Sequence, residues 1–157
     1  MTNTLAPTTL PLAAGTWVAD PAHTTVGFVV RHLGLSKVRG RFDGVSAQLT
    51  VGDDVASSSV SAEIQMGTVT TGNSDRDAHL ASSDFFNAET NPTMTFVSTG
   101  IAGEGEEYTM TGDLTINGIT KQVELDVEFF GTSVFPMDQS TRAGFAATGT
   151  ISRKDFA

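Results

Sequence analysis

Two segments of this 157-residue chain alternate strictly between apolar and polar residues. They are residues 60–66, VSAEIQM, and residues 123–129, VELDVEF. Successive side chains of a β-strand point to opposite faces of a sheet, so this period gives each strand one buried and one solvated face. Antiparallel sheets are the ones that commonly present one face to water. The pattern therefore predicts an all-β protein with antiparallel strands.

Further segments carry weaker strand patterns, and turn signals separate them. The second alternating segment extends over 119–130, and we predict more strands at residues 16–20, 23–33, 36–50, 93–101, 107–117 and 142–151. Asn117-Gly118 is a strong hairpin signal because both turn positions favour positive φ. Within 36–50 the apolar positions change parity at Asp43-Gly44, which predicts a bulge in one bent strand. About eight long antiparallel strands favour closure into a barrel, because closure removes exposed sheet edges.

One segment interrupts the strand series. The run SDRDAHL predicts a short helix at about residues 75–82, inside a long connection between two strands. Ser74 is the expected N-cap, and Asp77 three residues later completes a capping box. Acidic residues in the first turn also favour the positive end of the helix. Asn91-Pro92 ends any helical continuation, because the residue before a proline disfavours the helical region.

Composition narrows the classes of function. The chain has no cysteine, which excludes disulfides and thiolate metal sites. Its formal net charge is −9, whereas a protein that follows a nucleic-acid backbone needs a basic surface, so we expect no nucleic-acid partner. No apolar run reaches the roughly 18 residues of a membrane span. Residues 1–14 lack the Lys or Arg with which a secretory signal begins, so we expect a cytoplasmic protein. We expect these residues to be extended or disordered, and residues 15–157 to form one domain.

Several large apolar residues of the predicted strands share the inward face. A barrel of about eight strands is either filled by side chains or holds one small ligand. Both a packed core and an elongated apolar cavity fit these residues, and methionine suits a surface that adapts to a ligand. The candidate cavity residues are Phe28, Val30, Phe42, Met66, Met94, Phe96, Met110, Leu114, Phe129 and Phe145.

The polar residues give little sign of catalysis. The three histidines show no His-x-x-x-His spacing, so we expect no metal and no cofactor. No serine lies in a Gly-x-Ser-x-Gly elbow, so we assign no catalytic residue. A polar cavity mouth that contacts a ligand head group is one interpretation of the remaining groups, and structural hydrogen bonds are the other. The candidate mouth residues are His32, Arg76, Asp77, His79 and Asp84.

The order and spacing of several motifs resemble one family. The motifs include Trp17-x-x-Asp20-x-x-His23-Thr24-Thr25, Asp75-Arg76-Asp77-x-His79-Leu80, Asn91-Pro92-x-Met94-x-Phe96 and Ser152-Arg153-Lys154-Asp155-Phe156. From residue 17 to 156 the chain resembles the YceI-like family of polyisoprenoid-binding proteins. The resemblance implies a lipocalin-like barrel with a long apolar cavity, and a polyisoprenoid ligand such as an isoprenoid quinone or a prenyl phosphate. Members usually continue past the last motif into a final strand, so we expect either a truncated chain or a barrel without that C-terminal strand.

We therefore predict non-enzymatic binding, storage or transport of a long-chain isoprenoid amphiphile. Each buried methylene of such a ligand contributes about 0.8 kcal/mol before ordering costs. Two alternatives stay open: a barrel enzyme of the isomerase or cyclase type acting on a hydrophobic substrate, and an assembly module that uses an exposed sheet edge. An uncovered edge would favour a homodimer, whereas the charges of Arg153-Lys154-Asp155 would blunt edge pairing and favour a monomer.

Overall fold

A computed structural model describes residues 12–20, 24–32, 36–82 and 88–156. The predicted N-terminal segment 1–14 lies outside the described residues, apart from its last three. The strands are β1 (Gly15–Val18), β2 (Val26–His32), β3 (Ser36–Phe42), β4 (Val45–Val51), β5 (Ser59–Gln65), β6 (Val69–Thr70), β7 (Thr93–Glu104), β8 (Glu107–Ile116), β9 (Ile119–Val134) and β10 (Thr141–Thr148). One helix, α1 (Ser74–Ala81), and two 3-10 turns, Met66–Thr68 and Arg153–Phe156, complete the described elements.

The strands form two antiparallel sheets. The larger sheet has seven strands in the order β1-β4-β5-β7-β8-β9-β10 and curls into a half-barrel, and the smaller one has the order β2-β3-β6. The predicted all-β, lipocalin-like fold with one short helix is confirmed, and most strands lie within a few residues of their predicted bounds. In the described part of the chain, no helix has the length and apolar character needed to span a membrane.

Turns and bulges bend these long strands. The predicted hairpin at Asn117-Gly118 is confirmed, since the two residues have φ values of 56° and 75°. The pairing of β7 with β8 shifts register between Ser98 and Gly100, and the Ser98 hydroxyl accepts a hydrogen bond from the backbone N–H of Val60 at 2.8 Å. Bulges of this kind increase twist, which suits a curled sheet.

The predicted bulge at Asp43-Gly44 is wrong. The predicted strand 36–50 is two strands in different sheets, and the chain crosses from the smaller to the larger sheet at this point. Thr68 holds the crossing: its carbonyl accepts from Asp43 N–H at 3.4 Å, and its hydroxyl accepts from Gly44 N–H at 2.9 Å. The change of parity therefore marks a switch between sheets, which a single sequence pattern does not distinguish from a bulge.

Helix α1 begins one residue earlier than expected, and its cap differs. Asn73 is the N-cap, and its side-chain oxygen accepts from Arg76 N–H at 3.0 Å. The expectation that Ser74 caps the helix in a capping box with Asp77 is wrong, because Asp77 accepts hydrogen bonds from the backbone N–H and hydroxyl of Thr71 instead. An Asx cap was available one residue upstream, and asparagine and serine are similarly strong N-caps.

The main hydrophobic core fills one end of the half-barrel. Leu80 and Ala81 of α1 pack against it, so the helix covers this end of the molecule. The core residues come from both sheets and from the two 3-10 turns; they are Phe42, Ile64, Met66, Val69, Met94, Ile116 and Phe156. A second, smaller cluster joins Val55, Tyr108 and Phe129.

Candidate ligand cavity

A cavity of about 920 Å³ lies against the inner face of the seven-stranded sheet. All seven strands of this sheet contribute apolar wall residues, including Leu49, Val60, Ile101, Met110 and Val127. Met110 is 6% exposed, so the cavity reaches the packed interior. The volume lies near the upper end of the range of roughly 300–1,000 Å³ that is usual for small-molecule sites.

The cavity and the main core occupy different ends of the same strands. In β5, Val60 lines the cavity and Ile64 belongs to the core. In β7, Ile101 lines the cavity and Met94 belongs to the core. The half-barrel is therefore filled by side chains at the end covered by α1 and hollow towards the other end.

Tyr108 contributes an aromatic wall with its polar atom satisfied. Its hydroxyl donates to the carbonyl of Gly105 at 2.9 Å. Burial raises the pKa of Tyr108 above its ordinary value of 10.0, and the Glu104 carboxylate raises it further. The hydroxyl therefore stays protonated at neutral pH, and Tyr108 presents a neutral surface to the cavity.

An ion pair crosses the rim of the cavity. A guanidinium nitrogen (Nη1) of Arg142 in β10 bonds Asp20, which follows β1, so the pair links the two outer strands of the large sheet. The guanidinium carbon (Cζ) of Arg142 lies 4.0 Å from the centroid of the Phe135 ring. The other guanidinium nitrogen, Nη2, lies 3.5 Å from Oδ2 of Asp138. We call Asp20, Arg142 and Asp138 the ionic rim.

Asp138 is itself held by the hairpin between β9 and β10. Its Oδ1 accepts from the backbone N–H of Ser140 at 3.0 Å and from the Ser140 hydroxyl at 2.6 Å. These hydrogen bonds, and then the Arg142 charge, hold the pKa of Asp138 below its usual value. Asp138 is therefore an anion at neutral pH, at a fixed place beside Arg142.

The structure places two of the ten predicted cavity residues, Met110 and Phe145, in the cavity wall. Five of the others lie in or against the packed core instead. Phe42, Met66 and Met94 belong to the main core, and Phe28 and Leu114 pack against it.

The other three lie elsewhere. Phe129 is in the second cluster, Phe96 is buried at 6% exposure, and Val30 is 50% exposed. Strand parity identifies the inward face, but it carries no information on which end of a strand is filled. Contact of any of the ten with a ligand stays a prediction.

Of the five predicted mouth residues, the three whose side chains the structure describes do not line the cavity. Asp84 and the side chain of His32 lie outside what the structure describes. Arg76 and Asp77 both bond Thr71, the former through Nε at 2.8 Å, and so fix the start of α1. His79 lies in the last turn of α1, on the helix that covers the core end. Arg76 and Asp77 therefore have the structural role that was the alternative interpretation. Neither they nor His79 line the cavity.

Sequence reasoning missed the charged rim. Asp20 belongs to the first quoted motif, but its partner Arg142 lies 122 positions away. No local pattern connects two residues at that separation, because the contact exists only once the sheet has curled. The described residues also contain no group of three His, Asp or Glu side chains that could hold a metal ion.

Comparison with known proteins agrees with this architecture. Residues 17–157 match the YceI-like domain. A UPF0312 protein of Photorhabdus laumondii is 41% identical over 135 residues, which are 85% of this chain and 70% of that protein. Protein YceI of Escherichia coli O157:H7 is 39% identical over 135 residues, with the same shares of the two chains.

Solved structures show the same fold. BcnA of Burkholderia cenocepacia has a TM-score of 0.77 at 28% identity, covering 87% of this chain and 82% of that one. The Campylobacter jejuni YceI protein has a TM-score of 0.71 at 38% identity, covering 88% and 81%. A polyisoprenoid-binding domain from Saccharophagus degradans shares the fold alone, at 16% identity and a TM-score of 0.52 over 74% and 68% of the two chains. The chain belongs to the YceI-like domain family.

Proposed function

We propose that this protein binds, and so stores or transports, a long-chain isoprenoid amphiphile in its cavity without catalysing a reaction on it. The observation that carries the proposal is the apolar cavity of about 920 Å³ inside a half-barrel. The Saccharophagus degradans domain of the same fold, which is described as polyisoprenoid-binding, supports this class of ligand. The cavity wall suits an apolar tail, and the ionic rim suits a polar head.

Burial of the tail supplies the binding energy. Each methylene that leaves water contributes about 0.8 kcal/mol, from which the ordering of the flexible chain must be subtracted. The wall offers branched aliphatic, aromatic and methionine side chains, and Met110 can adapt its shape to a tail. Affinity would therefore rise with tail length until the cavity is full.

The titratable groups at the cavity favour binding over proton transfer. In the described wall the charged side chains are Asp20 and Arg142, and they pair with each other. The raised pKa of Tyr108 keeps its hydroxyl protonated at neutral pH. A general base needs a pKa near the working pH, which the Tyr108 hydroxyl does not have, and a free path to its proton, which the pairing of Asp20 with Arg142 obstructs.

Two neighbouring alanines of β10 provide the test. Ala147 lines the cavity, whereas Ala146 lies on the opposite face of the strand. Ala147→Phe would fill part of the cavity, and Ala146→Phe adds the same ring outside it. We expect Ala147→Phe to weaken binding of the isoprenoid alcohol geranylgeraniol at least about tenfold, or about 1.4 kcal/mol, with Ala146→Phe near the wild type.

Native mass spectrometry and a fluorescence titration would measure this binding. Thermal unfolding of both variants checks that they fold. Equal affinity in the two variants would place the ligand elsewhere, and conversion of the alcohol to a product would favour a barrel enzyme.

A further inference from the structure

We infer that the ionic rim makes the cavity selective for an amphiphile with an uncharged head group over one with an anionic head. The inference rests on the proposed function and adds the chemical class of the head. It follows from the charges at the rim and from the absence of other charged side chains in the described cavity wall.

Two carboxylates share the single guanidinium of the rim. One guanidinium, that of Arg142, contacts two carboxylates, Asp20 and Asp138. Ser140 donates two hydrogen bonds to Asp138, which stabilise its charged form. An anionic head at this rim would have to displace a carboxylate from Arg142 or lie beside one.

Two of the three rim side chains are partly shielded from water, which strengthens this effect, whereas Asp138 is 54% exposed. The side chains of Arg142 and Asp20 are 34% and 33% exposed, and the Phe135 ring covers one face of the guanidinium. Charges in such surroundings are screened less than charges in open solvent. The net charge of the chain, −9, adds a field of the same sign.

A neutral head can use the same arginine. A guanidinium has five N–H donors, and the described contacts of Arg142 to carboxylates use one nitrogen for each. The remaining N–H groups can donate to a carbonyl or hydroxyl oxygen without breaking the ion pair. Such a head keeps the link between the two outer strands intact, whereas an anion competes with it.

Two probes with the same tail test the inference: geranylgeraniol, with a neutral head, and geranylgeranyl phosphate, with an anionic head. The readout is the ratio of their dissociation constants at pH 8, where an ordinary histidine is neutral. Tail burial and the intrinsic solubility of each probe cancel when this ratio is compared between variants. We expect the wild type to prefer the alcohol at least about tenfold.

The decisive variant is Asp138→Asn. Asparagine keeps an oxygen that can accept from Ser140 but removes one rim charge. Asp113→Asn is the matched control. Asp113 is exposed in β8, and its substitution changes the net charge by the same amount but away from the rim. We expect the preference for the alcohol to fall at least about threefold in Asp138→Asn and to stay unchanged in Asp113→Asn.

Two results would overturn the inference and leave the proposed function standing. They are tighter binding of the phosphate by the wild type, and equal shifts in the two variants. Binding of neither probe by the wild type would instead overturn the proposed function, and the inference with it.

Discussion

The ring of Phe28 in β2 lies over the backbone of its cross-strand partner Gly40 in β3. A β-carbon at residue 40 would overlap the ring atoms of Phe28. The same ring packs against Phe42, with the ring centroids 5.5 Å apart, and Phe42 belongs to the main core. The missing side chain at residue 40 thus allows the small sheet to pack onto the core.

Gly40→Ala should lower the free energy of unfolding by about 1–3 kcal/mol, because the ring must leave its place in a packed interior. Gly27→Ala is the control, since its β-carbon would meet only the carbonyl oxygen of Gly40 at an ordinary 3.4 Å. Urea unfolding measures the free energy of unfolding of both variants. Equal stability of the two would show that Phe28 moves aside without cost.

Asn73→Ala should destabilise the protein by about 1 kcal/mol, because it removes the acceptor for Arg76 N–H at the start of α1. Ser74→Ala should have little effect, since Ser74 is the first residue of the helix and Asn73 is its cap. Thermal unfolding and hydrogen exchange of the helix amides distinguish the two positions. A larger loss of stability in Ser74→Ala than in Asn73→Ala would show that Ser74 is the cap.

Alkaline titration of Tyr108 should have a midpoint above 10. It is the single tyrosine of the chain, so tyrosinate absorbance reports on it alone. Its pKa is raised in the folded state by burial and by Glu104, so the stability it contributes is fully present below pH 10 and is lost as the pH rises through the folded pKa.

The same titration in concentrated urea gives the unfolded reference for Tyr108, and Tyr108→Phe should lack the absorbance change. Coinciding midpoints in the folded and unfolded states would mean that the ring is hydrated.

Self-association through β10 stays a prediction. Among the described strands β10 pairs only with β9, and an uncovered edge can pair with a second copy. We expect sedimentation to show a dimer whose share rises with concentration. Ala146→Lys, which places a charge on the outer face of β10, should shift the equilibrium towards monomer. A monomer at every concentration would show that the edge is protected.

The features that the sequence could predict are those encoded by neighbouring residues. Alternation in residues 60–66 and 123–129 specifies strands, and Asn117-Gly118 specifies its turn through two positive φ values. Asp43-Gly44 shows the limit, because a parity change looks the same whether a strand bulges or passes to another sheet.

The cavity was less predictable because it depends on which end of the half-barrel is filled. Met66 and Met94 have the inward parity of cavity residues, but the packing of α1 and the small sheet places them in the core. Arg142 and Asp20 meet only in the curled sheet. Contacts between distant parts of the chain decide such features, and residue spacing does not encode them.

Phe156 is 5% exposed in the main core, and its carbonyl oxygen accepts a hydrogen bond from Asn117 Nδ2 at 3.4 Å. The residue comes from the last 3-10 turn, whereas its core neighbours Phe42 and Ile64 come from the first half of the chain. During synthesis on the ribosome, the earlier strands must wait for Phe156 to emerge before this core can be completed. The apolar surface around Phe42 would stay exposed in the meantime, and transiently exposed surface of this kind makes a folding chain prone to aggregate.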